Sequence, residues 1–180
     1  ETIPAVPPPL SQVSSEEQYQ SAKEYFLRLE QGGSMGQQRR HWLQGARNFR
    51  KIHLAQKNGP LGPASLFMQG RLYRRMHEKF HVPIDLDNAL GSFTDVATLY
   101  PANSLADDAL LEAAETLRLH PGKEKEAREL LRTIVEVYPK GDQYARARTL
   151  LQAPKEAPSP SLAPPAAAAS SASASSTTAP

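Results

Sequence analysis

The chain has 180 residues with 21 Lys and Arg, 19 Asp and Glu and no cysteine, for a formal net charge of +2. That length suits one domain with tails. The missing cysteine excludes disulfides, thiol catalysis and cysteine-ligated metal, and no apolar run approaches a membrane span. The small net charge hides an asymmetry: ten Lys/Arg and one acid lie between Gln37 and Val82, one Lys/Arg and seven acids between Pro83 and His120.

Residues 1–13 hold four prolines and read as an extended lead-in. From Ser14 to Gln152, apolar residues recur at spacings of three and four, which is helical periodicity. Ser14-Ser15-Glu16-Glu17 offers an N-cap with acids in the first turn, and Tyr19, Ala22, Phe26 and Leu29 form the first stripe. Trp42, Ala46, Phe49 and Ile52 form the second, and Leu66, Gly70, Tyr73 and Met76 the third. Ala89, Phe93, Val96 and Tyr100 follow, then Leu110, Ala114 and Leu117, then Ala127, Leu131, Ile134 and Val135. A short last helix holds Ala147, Leu150 and Leu151. Gly32-Gly33, Asn58-Gly59-Pro60, Pro101, Pro121-Gly122 and Pro139 fall between stripes as stops, and connections this short predict antiparallel neighbours. Residues 153–180 are almost entirely Ala, Pro, Ser and Thr. Such a segment cannot bury enough apolar surface to offset its chain entropy, so it reads as a disordered linker to something that follows.

Two helices repeat. Ala89-x3-Phe93-x2-Val96-x3-Tyr100-Pro101 matches Ala127-x3-Leu131-x2-Ile134-x3-Tyr138-Pro139 at an offset of 38 residues. The small alanine admits a close partner helix, the apolar residues four and seven later fill the seam, and the proline ends the helix. A repeat of this period predicts stacked helical hairpins. The pattern resembles the second helix of the tetratricopeptide repeat, A-x3-F-x2-A-x4-P. Leu66-x3-Gly70-x2-Tyr73 resembles its first helix, with Ala114 and Leu117 in the places of Gly70 and Tyr73 in the next repeat. The stretch Phe80–Leu86 reads as a longer loop inside the first of these hairpins. The expected fold is therefore all-α: a short tetratricopeptide-like solenoid over 14–152 with disordered ends.

A closer resemblance covers Tyr19 to Gln152. The succession YQSAKEYFLRL, RRHWLQGARNFRKI, PASLFMQGRLYRRM, ALGSFTDVATLYPANSLADDALL and EARELLRTIVEVYPKGDQYARARTLL resembles the N-terminal helical-repeat region of periplasmic N-acetylmuramoyl-L-alanine amidases. In that family a linker and a zinc amidase domain follow. The Tyr100–Ala109 stretch is also similar to repeats of outer-membrane assembly lipoproteins and Tol-Pal accessory proteins. The resemblance implies a periplasmic, non-catalytic module that binds an envelope protein or peptide, or peptidoglycan. The alternative is a free-standing adaptor of the assembly or Tol-Pal type. It transfers no catalytic residue to this chain.

One motif points elsewhere. His77-Glu78-Lys79-Phe80-His81 matches H-E-x-x-H, in which two histidines on one helix face grip Zn²⁺ and the glutamate is general base. No third ligand is evident, Ile84 stands where an extended motif needs glycine, and Arg71, Arg74, Arg75 and Lys79 would repel the ion. The expectation is no metal, no cofactor and no catalytic residue, with a zinc peptidase through His77, Glu78 and His81 as the less favoured reading. Trp42 and Tyr25 at helical spacing read as core rather than stacking platforms.

The first helix of each tetratricopeptide hairpin lines a concave groove, so the resemblance nominates ligand-binding positions. Anchored on Gly70 these are Phe67, Arg71, Arg74 and Arg75; anchored on Ala114 they are Asp108, Leu111, Glu115 and Arg118. Such a groove suits an extended peptide with an acidic stretch or an anionic wall polymer. The acidic half balances the basic one and no nucleic-acid motif is present, so nucleic acid is not an expected partner.

Overall fold

The computed structural model describes residues 14–153, in which eight helices and no strand are found. The expectations for the lead-in and for the linker from Pro154 onward lie outside the described residues. The helices are α1 (Ser15–Glu30), α2 (Gly33–Gly36), α3 (Arg39–Ala55), α4 (Leu61–Phe80), α5 (Pro83–Leu99), α6 (Leu105–Arg118), α7 (Glu124–Val137) and α8 (Tyr144–Gln152). The N-cap expectation at Ser14 holds as a reciprocal capping box. Its hydroxyl accepts from the Glu17 amide at 3.2 Å, and the Glu17 carboxylate accepts from the Ser14 amide at 2.8 Å. Those bonds favour the charged carboxylate and lower its pKa.

Helices pack in chain order: α1 on α3, α3 on α4, and so on to α7 on α8. Two further contacts, α1 with α4 and α4 with α6, put these alternate helices in one layer, with α3, α5 and α7 in the other. This is the expected all-α helical-repeat packing. Its core is three clusters strung along the stack. The first joins Phe26, Trp42, Phe49, Leu72 and Met76; the second Leu66, Ala89, Phe93 and Val96; the third Ala114, Leu131, Ile134 and Ala147. Trp42 is core, and its indole N–H donates to the Gly36 carbonyl at 2.9 Å. Tyr25 packs half-buried against the same cluster.

The 38-residue repeat is a repeat of geometry. Ala89 and Ala127 are both fully buried, as are Val96 and Ile134. Tyr100 and Tyr138 both terminate their helices, with φ −132°, ψ 53° and φ −118°, ψ 53°. Their amides donate to the Val96 and Ile134 carbonyls at 3.0 and 2.9 Å. The seams differ in compensating ways. At Gly70 a Cβ would lie 2.7 Å from the Phe93 ring, so the large ring demands glycine. In the next hairpin the smaller Leu131 accompanies Ala114.

The longer loop expected at Phe80–Leu86 does not form. Helix α4 runs through Phe80 and α5 starts at Pro83, so only His81 and Val82 connect them. Aligned on Gly70 and Ala114, α4 (20 residues) and α6 (14 residues) start at the same place, and the extra six, Arg75–Phe80, prolong α4 at its C-terminus. The extension is helical because its apolar side chains have somewhere to go. Met76 is fully buried in the first cluster, and Phe80 stands edge-on to Trp42 with centroids 6.2 Å apart. His81 then turns the chain in the left-handed conformation (φ 54°), and Pro83 opens α5, where proline is favoured.

Candidate ligand-binding cleft

Four ion pairs tie the stack together. Glu30 of α1 meets Arg75 of α4 at 3.1 Å, Arg74 of α4 meets Glu112 of α6, and Glu115 of α6 meets Arg146 of α8 at 2.6 Å. The first two join neighbouring helices of one layer, and the third links α6 to α8. In the other layer Arg39 at the start of α3 forks onto Asp85 at the start of α5, at 2.5 and 3.1 Å. Asp85 is completely buried. A buried carboxylate needs such a partner, because desolvation without one costs several kcal/mol.

Beyond the last of these struts lies a cleft of about 490 Å³. Its walls come from Arg74 and Glu78 of α4, Glu115 and Arg118 at the end of α6, and Leu119 just past it. Glu124, Arg128 and Leu131 of α7, Arg146 and Leu150 of α8, and Ala153 just past α8 complete it. Of the six residues by which α4 outruns α6, Glu78 lies in this lining.

The structure distributes the nominated groove residues as follows. Arg74, Glu115 and Arg118 line the cleft; Phe67, Arg71, Arg75, Asp108 and Leu111 do not. Phe67 packs on Phe93 with centroids 5.7 Å apart, and Leu111 is buried in the third cluster. Arg74 and Arg75 are struts, and both also reach Glu78, at 3.6 and 2.9 Å. Arg71 lies close enough to Tyr19 to oppose the rise that burial causes in that phenol's pKa. Asp108 accepts from the Gln143 side-chain amide at 2.6 Å.

Leu119, Glu124, Arg128, Arg146 and Leu150 were not among the nominated positions. The Ala147–Leu150 spacing, like Ala114–Leu117, could have extended the register onto α8. Nothing in the pattern marks Leu119 or Glu124, which acquire their places from where α6 ends.

The H-E-x-x-H residues occupy three different situations. His81 is exposed at the helix cap, and Glu78 is held by two arginines. The His77 Nδ1 donates to the Val82 carbonyl at 3.0 Å, and its ring packs on His120 with centroids 4.9 Å apart. Burial, with His77 beside it, pushes the His120 pKa down. The only group of three or more potential metal-binding side chains among the described residues is Asp107, Asp108 and Asp142. Gln143 answers all three, its backbone N–H donating to Asp107 and its side-chain amide to Asp108 and Asp142, so this trio closes the α7–α8 connection. No helix of the described residues is long and apolar enough to cross a membrane.

Fold and cleft define a class: an all-α helical-repeat protein with a charged and apolar cleft. No protein-family model matches the chain, and no curated protein matches it.

Proposed function

We propose that this chain is a non-catalytic binding module whose cleft holds an extended peptide segment of a partner protein. The observation that carries the reading is the composition of the cleft. It joins the exposed Leu119 and half-buried Leu150 to Arg118, whose guanidinium has no carboxylate partner among the described residues. Leu119, Leu131, Leu150 and Ala153 give the cleft an apolar part among seven charged side chains, a mixture that suits a polypeptide carrying both kinds of side chain better than an apolar small molecule. The stack behind it is packed around the three buried clusters, with the four ion pairs linking its helices.

The quoted resemblance supplies the setting we propose: the periplasmic envelope, with the module recruiting a cell-wall amidase to an envelope protein. A free-standing adaptor of the assembly or Tol-Pal type would use the same cleft. The zinc-peptidase reading is the weakest of the three, because the two arginines on Glu78 oppose its service as a general base.

The experiment compares the wild-type chain with Leu119→Asp and with a Leu119→Asp, Leu150→Asp double variant. Each is incubated with envelope extract and with isolated peptidoglycan, and the bound partner is cross-linked and mapped. Wild type should retain a protein partner through the cleft at low salt and release it at about 1 M salt, where the Debye length falls to ~3 Å. Both variants should lose it while keeping their helicity. Retention unchanged in the double variant removes the cleft as the site, and retention of peptidoglycan alone replaces the peptide reading with a wall-polymer one.

A further inference from the structure

Two charged residues of the cleft have no partner among the described residues. Arg118 is the last residue of α6 and Glu124 the first of α7. Both are half-buried and both line the cleft, yet neither makes an ion pair or a side-chain hydrogen bond among the described residues. The other charged residues of the lining are engaged. Arg74 is on Glu112, Glu78 on Arg75, and Arg146 on Glu115, while Arg128 donates to the Leu151 carbonyl at 2.9 Å. A guanidinium and a carboxylate that share one cleft without pairing are both left able to engage a ligand's charges, and each charge-assisted hydrogen bond so formed is stronger than a neutral one. Leu119, beside Arg118 in the chain, is the most exposed large apolar side chain of the described residues at 76 %.

We propose that the cleft recognises a zwitterionic aliphatic segment of the partner peptide: a carboxylate on Arg118, an ammonium on Glu124, and an aliphatic side chain between them on Leu119 and Leu150. This deepens the peptide-binding reading and rests on it. The Arg118 fork offers parallel N–H donors that match a carboxylate, and Glu124 offers only acceptors, which an ammonium answers. Fixed charges of opposite sign give the bound segment a direction as well as a place. A purely anionic ligand would satisfy Arg118 and be repelled by Glu124, so the acidic-stretch expectation is narrowed to one carrying both signs. Each residue also suits its own helix end, an arginine at the C-terminus of α6 and a glutamate at the N-terminus of α7, and the test separates that role from ligand binding.

The test uses the full chain and short end-capped fluorescent peptides read by anisotropy: Glu-Leu-Lys and Lys-Leu-Glu, the two singly neutralised (Gln-substituted) counterparts of whichever order binds better, and neutral Gln-Leu-Gln. One zwitterionic order should bind best, and neutralising either of its charges should weaken it about tenfold, the scale of one charge-assisted hydrogen bond. Arg118→Gln should remove the dependence on the peptide carboxylate and keep that on the ammonium; Glu124→Gln should do the reverse. Equal affinity for all five peptides, or charge preferences untouched by both variants, overturns the proposal, as does failure of every peptide to bind. If both variants lower the melting temperature and leave the charge preferences intact, the two residues serve their helix ends alone. Equal binding of all five that Leu119→Asp abolishes sinks the zwitterion and keeps the cleft. Partner retention indifferent to Leu119→Asp sinks the reading on which it rests.

Discussion

The hairpins α4–α5 and α6–α7 share a seam and differ at their open ends. Along the seam Ala89 and Ala127, Phe93 and Leu131, and Val96 and Ile134 occupy equivalent buried places. At the ends, α4 continues through Arg75–Phe80 to dock on Trp42 and Glu30, while α6 stops and leaves Leu119 in solvent. The extended end is covered and braced, and the short one is open and carries charge without a partner among the described residues. Packing fixes the seam because a buried position tolerates few volumes. The ends are free to diverge, and the candidate site lies where they do.

The largest expected effect tests that contrast at a single repeat position. Asp85 in the first hairpin corresponds, 38 residues on, to Lys123 in the second. Asp85 is fully buried on Arg39, whereas Lys123 is exposed and pairs with Glu126 at 2.9 Å. Arg39→Ala strands the buried carboxylate and should cost about 3 kcal/mol or more in urea unfolding. Lys123→Ala removes a surface pair and should leave the urea midpoint nearly unchanged. Similar losses at the two sites would mean that the hairpin ends are not differentiated as described.

A smaller effect exchanges one seam for the other. Gly70→Ala drives a Cβ into the Phe93 ring and should cost roughly 1–3 kcal/mol by overpacking. Phe93→Leu alone opens a cavity and should also destabilise. Together they recreate the Ala114–Leu131 pairing, so the double variant should be more stable than the sum of the two losses predicts. A cycle that proves additive would show that the seams are not interchangeable.

The seam was legible in the sequence and the ends were not. Ala89, Phe93 and Val96 declare themselves because helical spacing, small-residue placement and the closing proline all point one way. Phe80–Leu86 was misread as a loop because a six-residue surplus can be absorbed by loop or helix alike, and here it lengthens α4 instead. What decided between them was Phe80 meeting Trp42, a contact 38 residues distant in sequence. The arginines were misweighted for the same reason. Local pattern places Arg74 and Arg75 on a plausible groove face, but their carboxylate partners, Glu112 and Glu30, lie 38 and 45 residues away. Arg118 was nominated as a groove position and lines the cleft, and that it has no partner among the described residues became visible only in three dimensions.

The smallest predicted effect concerns the connection that closes the second hairpin onto α8. Asp108 has its pKa raised, first by burial and then by Asp142 and other neighbouring acids, against a lowering from Gln143. A carboxyl whose folded pKa lies above its unfolded one binds its proton more tightly when folded. It therefore favours the fold fully below the ordinary Asp value of about 3.9, and that contribution is lost as pH rises through the folded pKa. At neutral pH Asp108 is left with its desolvation and its acidic neighbours. Asp108→Asn keeps an oxygen for the Gln143 amide at 2.6 Å and removes the charge. Its gain over wild type should be at most about 0.5 kcal/mol at pH 7, within the range of surface substitutions, and should shrink toward zero as pH falls below about 4. Melting curves of the two proteins across that range are the measurement. A variant less stable than wild type at pH 7 would mean that the Asp108 carboxylate supports the α7–α8 connection as an ion. The trio with Asp107 and Asp142 would then contribute more to this end of the stack than the strain of three neighbouring charges suggests.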